Sequence, residues 1–159
     1  DSNSKSAFTI LGTSLKTQFS NNIRNNFGFL NLPEDSDPNS PDKLFIQKGR
    51  SVFKEVVPMV QTHIASHLDN LDIDIKEVKR LWLHQANLSM NQLIAKKLLG
   101  RDPDEHEMPI ILNDYANTSS AGSIIAFHQT NDDFISDEIG VISSFGAGYS
   151  VGSVVLKKV

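Results

Sequence analysis

Apolar positions recur along this chain with two alternating periods, and each change of period marks a new element. Phe8 to Leu11 mixes aromatic and β-branched residues with smaller ones before Gly12, which predicts a short strand. From Gln18 to Pro41 the chain is rich in Asn, Ser, Asp and Pro and reads as a long exposed loop, of the kind that serves a function or lacks regular structure. Asp42 then stands where it could cap a helix, and Val52, Phe53, Val56, Val57, Val60, Ile64 and Leu68 return at helical spacing along one face. Pro58 falls inside that run, where its missing N–H and its clash with the preceding turn predict a kink or a break.

Asp74 followed by Glu77 predicts a capping box on a one-turn helix. Arg80 to His84 reads as a short apolar strand, and Leu88 to Leu99 as an amphipathic helix stopped by Gly100. The strand-then-helix pattern repeats, with Ile110 to Leu112 a candidate strand and Thr118 to Gln129 a helix that opens on small residues. Ile139 to Ser144 and Tyr149 to Lys157 are β-rich and joined by FGAG, close enough for an antiparallel pair. The expected order is βαβαβαββ: an α/β layered domain, a mixed sheet with helices packed on its faces and right-handed crossovers. No short tandem repeat is visible, which argues against a solenoid.

Composition narrows the function classes. With 159 residues, 39% of them hydrophobic and 21% charged, one compact globular core is expected. A formal net charge of -4 argues against nucleic-acid binding through bulk positive charge, because phosphate contacts need clustered Lys and Arg. No cysteine occurs, so disulfides, thiolate metal ligands and a thiol nucleophile are excluded within this chain. The longest apolar stretches fall far short of the ~18 residues of a transmembrane helix, and DSNSKS lacks the apolar core of a signal peptide, so no membrane partner and a cytoplasmic location are expected. The chain opens on Asp1 rather than Met, as numbering that begins in mid-protein would.

Candidate chemistry gathers at three expected strand ends, where ligands collect in open α/β sheets. HQAN (His84 to Asn87) ends one strand, YANTSSAGS (Tyr115 to Ser123) follows the next, and SFGAGYSVG (Ser144 to Gly152) holds the turn of the last two. Each has a bland reading. His84 alone could be a buried or capping histidine, Asn117 a turn or N-cap residue that accepts from the next helix, and the FGAG glycines simple turn formers. His63 and His67 stand one helical turn apart, but no Glu lies between them and no motif places a third ligand, so a metal site is not expected.

Taken together and in order, HQAN, NTSSAGS and FGAGYSVGS resemble the C-terminal half of type III beta-ketoacyl-[acyl-carrier-protein] synthases, condensing enzymes of the thiolase superfamily. GRSVFKEVVPMV is similar to the long helix that precedes HQAN in that family, and the resemblance runs from about Phe8 to the C-terminus. It implies a thiolase-like half that pairs with a similar N-terminal half, which carries the nucleophilic Cys absent here, in a parent that is a homodimer. It also implies a decarboxylative Claisen condensation of an acyl thioester with malonyl-acyl-carrier protein, in fatty acid or related biosynthesis. The partners implied are acyl-carrier protein and acyl-CoA, with no cofactor beyond the CoA and phosphopantetheine that carry the substrates.

Residue by residue, the resemblance implies that His84 and Asn117 hold the malonyl thioester carbonyl. The turn Gly146, Ala147, Gly148 would offer a backbone N–H to the second oxyanion. Ala147 stands where the family commonly has a further glycine. Lys96, Lys97 and Arg101 are candidates for docking the acidic carrier, or else a solvated helix end. Gly49 and Arg50, with the loop from Gln18 to Pro41, fall where the family shapes its substrate tunnel. The isolated chain is expected to be inactive. Two other readings stand beside this one: a non-catalytic carrier-binding or dimerisation half, and the related hydroxymethylglutaryl-CoA synthase and chalcone synthase groups.

Overall fold

The structure, a computed structural model, describes residues 7–25 and 45–159. Its scaffold is a four-stranded mixed sheet in the order β1, β6, β5, β4, built from Phe8–Ser20 (β1), Val78–Leu83 (β4), Ile139–Gly146 (β5) and Gly148–Lys158 (β6). β5 and β6 form the expected antiparallel hairpin, β1 adds antiparallel to β6, and β4 runs parallel to β5. A small separate ladder pairs Ile23–Asn25 (β2) with Phe45–Gln47 (β3).

One face of the sheet is covered by the helices Gly49–Asp69 (α1) and Leu88–Leu99 (α2). α1 buries Val52, Val56, Val57, Val60, Ile64 and Leu68, the stripe that its helical spacing sets on one side. At ~1.5–3 kcal/mol for each fully buried side chain of this kind, that stripe alone holds the helix to the sheet. α2 is bounded as its ends require: the Asn87 side chain accepts from the Met90 N–H at 3.0 Å, and Gly100 takes the left-handed conformation at φ 71°. The capping box forms too, with Asp74 Oδ1 accepting from Lys76 N and Glu77 Oε1 from Asp74 N, both at 2.9 Å, on the 3-10 turn Ile75–Glu77.

The other face carries the helix Ala121–Gln129 (α4) and an aromatic cluster around Trp82. Trp82 is fully buried, meets Phe127 edge-on at 4.9 Å, and donates from Nε1 to Thr130 Oγ1 at 2.8 Å. A Cβ on Gly140 would fall 2.2 Å from the indole, so only glycine lets the ring lie on β5. Arg80, buried beside it, is held by both Asp133 carboxylate oxygens at 2.6 and 2.8 Å and by the carbonyls of His106 and Thr130. Toward β1 this face is open: Leu15, Ile124, Ile142 and Val154 line an apolar hollow of about 640 Å³ that no described element covers.

Several sequence expectations are corrected. β1 continues through Gly12 to Ser20, because the glycine marks a bulge between Ile10 and Gly12 rather than a stop. A Cβ there would meet His67 Nε2 and Leu71 at 3.0 Å, so the bulge lets β1 pass close over α1. α1 runs unbroken through Pro58, which is exposed on the solvent side, where water can serve the carbonyl that loses its partner. The strand at Ile110 to Leu112 does not form; Leu112–Tyr115 is instead a short helix (α3). The segment still runs beside β4, with Leu81 N donating to Glu107 O, but Ile111 N donates to the Gln85 side chain instead of to a strand. The loop from Gln18 to Pro41 begins as the end of β1 and as β2. Asp42 and the rest of that loop lie outside the described residues.

Candidate active site

His84 follows β4 directly, Asn117 follows α3, and Gly146 and Ala147 form the β5–β6 turn. All four line one pocket of about 390 Å³, floored by Val52, Met90 and Phe145. Three motifs far apart in the chain therefore meet in one hollow. They are also tied to one another. The His84 ring packs on Phe145 with centroids 4.7 Å apart, the Ser123 and Ser144 hydroxyls bond at 2.6 Å, and Gly122 rests directly on Gln85.

His84 is buried, and burial pushes its imidazole below the ordinary value of 6.5, so it is neutral at pH 7. Its Nδ1 has no hydrogen-bond partner among the described residues. Asn117 takes the form of a turn residue and does not cap α4. Its Oδ1 accepts from Ser119 N at 3.0 Å, as a turn residue's would, and this leaves the amide N–H groups of Nδ2 as donors. The loop is held against its preference, since Ala116 and Ser119 both take left-handed conformations, at φ 52° and 59°.

In the glycine turn, Gly148 is the residue that the backbone demands, at φ 134° and with a Cβ that would sit 3.0 Å from Ser150 Oγ. Gly146 faces open space, and Ala147 needs no positive φ, so the alanine fits the turn. Gly49 and Arg50 stand exposed at the start of α1 and do not line the pocket, whereas their neighbours Gln47 and Val52 do. Lys96 pairs with Asp102 at 2.9 Å and Arg101 with Glu107, which leaves Lys97 as the exposed cation of the three with no ion pair among the described residues. His63 and His67 are bridged by Ser153, and no group of three metal-ligating side chains occurs among the described residues.

Sequence reasoning missed Gln85 and the cap role of Asn87, although both lie inside HQAN. It also missed the pocket floor: Val52 read as part of an apolar helix stripe, Met90 was not singled out, and Phe145 stood only as the opening residue of the FGAG turn. An Asn at the first position before a helical run is the signal that could have exposed the cap.

Residues 68–158 match the family described as 3-oxoacyl-[acyl-carrier-protein] synthase III C terminal, and HQAN, NTSSAGS and FGAGYSVGS all fall inside that span, while GRSVFKEVVPMV precedes it. The chain belongs to this synthase III C-terminal family. Among relatives of the family, it is 63% identical over 155 residues to the beta-ketodecanoyl-[acyl-carrier-protein] synthase of Pseudomonas aeruginosa, covering 98% of this chain and 44% of that protein. It is 37% identical over 111 residues to the beta-ketoacyl-[acyl-carrier-protein] synthase III of Pyropia yezoensis, covering 69% of this chain and 33% of that one. The chain thus spans less than half the length of these curated relatives. The fold is that of the crystal structure of 3-oxoacyl-[acyl-carrier-protein] synthase III from Aquifex aeolicus, with a TM-score of 0.77 at 22% identity, over 99% of this chain and 46% of that one. The thiolase-like expectation for the architecture therefore holds.

Proposed function

We propose that this chain is the C-terminal half of a decarboxylating condensing enzyme, an acyltransferase that joins an acyl thioester to malonyl-acyl-carrier protein. The observation that carries this reading is the convergence of His84, Asn117 and the Ala147 turn on one pocket, with His84 kept neutral by burial. When the bond between the malonyl carboxylate and its neighbouring carbon breaks, CO2 leaves and the electron pair passes to that carbon and the thioester oxygen. Neutral N–H donors from His84 and Asn117 stabilise the enolate oxygen in a site where water competes poorly. A neutral imidazole suits this task because it donates without drawing the malonyl carboxylate into an ion pair. The enolate carbon then attacks the acyl thioester on a Cys outside this chain. Negative charge gathers on that carbonyl oxygen, where the Ala147 N–H receives it, until the Cys thiolate is expelled.

The open hollow beside Leu15 and Ile124 is where a second half would pack and bring that Cys to the pocket. The beta-ketodecanoyl name of the 63% identical relative points this reading to a medium-chain product. Carrier docking would then rest first on Lys97, with Lys96 and Arg101 available by exchange from exposed pairs of small worth.

The test uses the full-length protein that contains this chain. His84→Ala and Asn117→Ala should each slow decarboxylation of malonyl thioester by about a hundredfold or more, while acylation of the Cys survives. Wild-type decarboxylation in both variants would overturn the reading. Condensation product formed by the isolated chain would likewise show that the Cys is not needed.

A further inference from the structure

Gln85 is fully buried, yet it does not line the pocket. Its amide is spent on the chain around it. Nε2 donates to Leu83 O at 2.9 Å and to Pro109 O at 3.3 Å, while Oε1 accepts from Ile111 N at 3.1 Å. A single side chain thus satisfies the end of β4 and the start of the segment that leads through α3 to Asn117. On the far side of Asn117, Gly122 packs so closely that a Cβ there would lie 2.8 Å from the Gln85 Cβ. The arch that carries Asn117 is therefore pinned at both feet by Gln85, and the residue beside Gln85 in the chain is His84.

We propose that Gln85 is a positioning residue that sets the spacing between the His84 and Asn117 donors. This rests on the reading of those two as the malonyl oxyanion site. Two donors that must meet one oxygen tolerate little relative shift, and an ångström of misplacement is enough to cost up to about a hundredfold in rate. The left-handed residues Ala116 and Ser119 flank Asn117, so the arch has a relaxed alternative once its feet are loosened. Arg80 also ties both flanks to β4, through the His106 and Thr130 carbonyls, but at points farther along the chain from Asn117 than those held by Gln85.

Gln85→Met, which keeps length and volume but removes the three hydrogen bonds, tests this in the full-length enzyme. Decarboxylation kcat should fall on the order of ten- to a hundredfold with the KM for malonyl thioester little changed. In an Asn117→Ala background the same substitution should cost less than about threefold, because the donor it positions is already gone. Equal losses in both backgrounds would mark Gln85 as a structural residue and overturn the proposal. So would an unchanged rate for Gln85→Met beside a damaged Asn117→Ala. An undamaged Asn117→Ala enzyme would instead remove the site reading itself, and this proposal with it. If Gln85→Met fails to fold, Gly122→Ala pushes on Gln85 from the other foot with every hydrogen-bonding group intact, and the same pair of backgrounds decides.

Discussion

His63 and His67 lie between α1 and the sheet with Ser153 set between them, whereas His84 lies at the end of β4 against Phe145. All three are buried and all three imidazoles are pushed below 6.5. For His67 and His84 the cause is burial. For His63 it is burial first, then the neighbouring His67 and Lys16, with the Ser14 carbonyl acting the other way. What separates the two regions is where their polar atoms go. Ser153 Oγ lies 2.7 Å from His67 Nδ1 and 3.0 Å from His63 Nε2, so the first region closes on itself. His84 Nδ1 has no partner among the described residues, and an unmet buried polar atom costs about 1–3 kcal/mol. His63 and His67 spend their hydrogen bonds on the fold, whereas His84 Nδ1 makes none to it among the described residues.

The largest expected effect breaks or keeps that contrast directly. In the full-length protein, His84→Ala should reduce malonyl decarboxylation by about two to three orders of magnitude, and His67→Ala should leave that rate within a few-fold of wild type. Equal damage from both would erase the distinction. Next in size, Ser153→Ala should lower stability by about 1–3 kcal/mol in denaturant melts, since it strands two buried imidazoles, with decarboxylation unaffected.

A pH series sharpens the comparison further. The folded imidazoles have lowered pKa values, so their contribution is fully present above 6.5 and is lost as the pH falls below it, when the unfolded chain binds protons that the folded one resists. Replacing both His63 and His67 with Gln should flatten the melting temperature across this window. Asp133, held to about 2 by the Arg80 guanidinium, adds a separate loss only as the pH falls from 3.8 toward that value, and Asp133→Asn should remove it. The smallest effect belongs to the surface: Lys97→Glu should raise the KM for malonyl-acyl-carrier protein by a few-fold, more at low salt, and leave kcat unchanged.

The motifs were more legible in the sequence than the scaffold around them. His84, Asn117 and the glycine turn could be picked out only through the family resemblance of their ordered motifs, since each alone also reads as a buried histidine, a turn residue or a turn former; the structure brings them to one pocket. α2 and the Asp74 capping box were legible because their ends are local. Long-range relations were not. Gly12 resembles a strand stop unless His67 is known to pass beneath it, and Ile110 to Leu112 has a strand's composition while Gln85 takes its hydrogen bond. Lys96 and Arg101 looked like a free basic patch because ion pairs with Asp102 and Glu107 depend on how the chain turns back after Gly100. The histidine pair that most resembled a ligand motif was the structural one, because spacing along a helix says nothing of the hydroxyl facing it from β6.

Trp82 lies on the bare backbone of Gly140, and it is the single tryptophan of this chain. It therefore gives the molecule a built-in optical label two residues from His84, with an indole shielded from water and ringed by Phe127 and Phe134. Its emission should be blue-shifted in the folded chain and move to the red when α4 lifts from the sheet. Excitation at the tryptophan band would thus watch the packing of α4 on the sheet in real time, without an added dye.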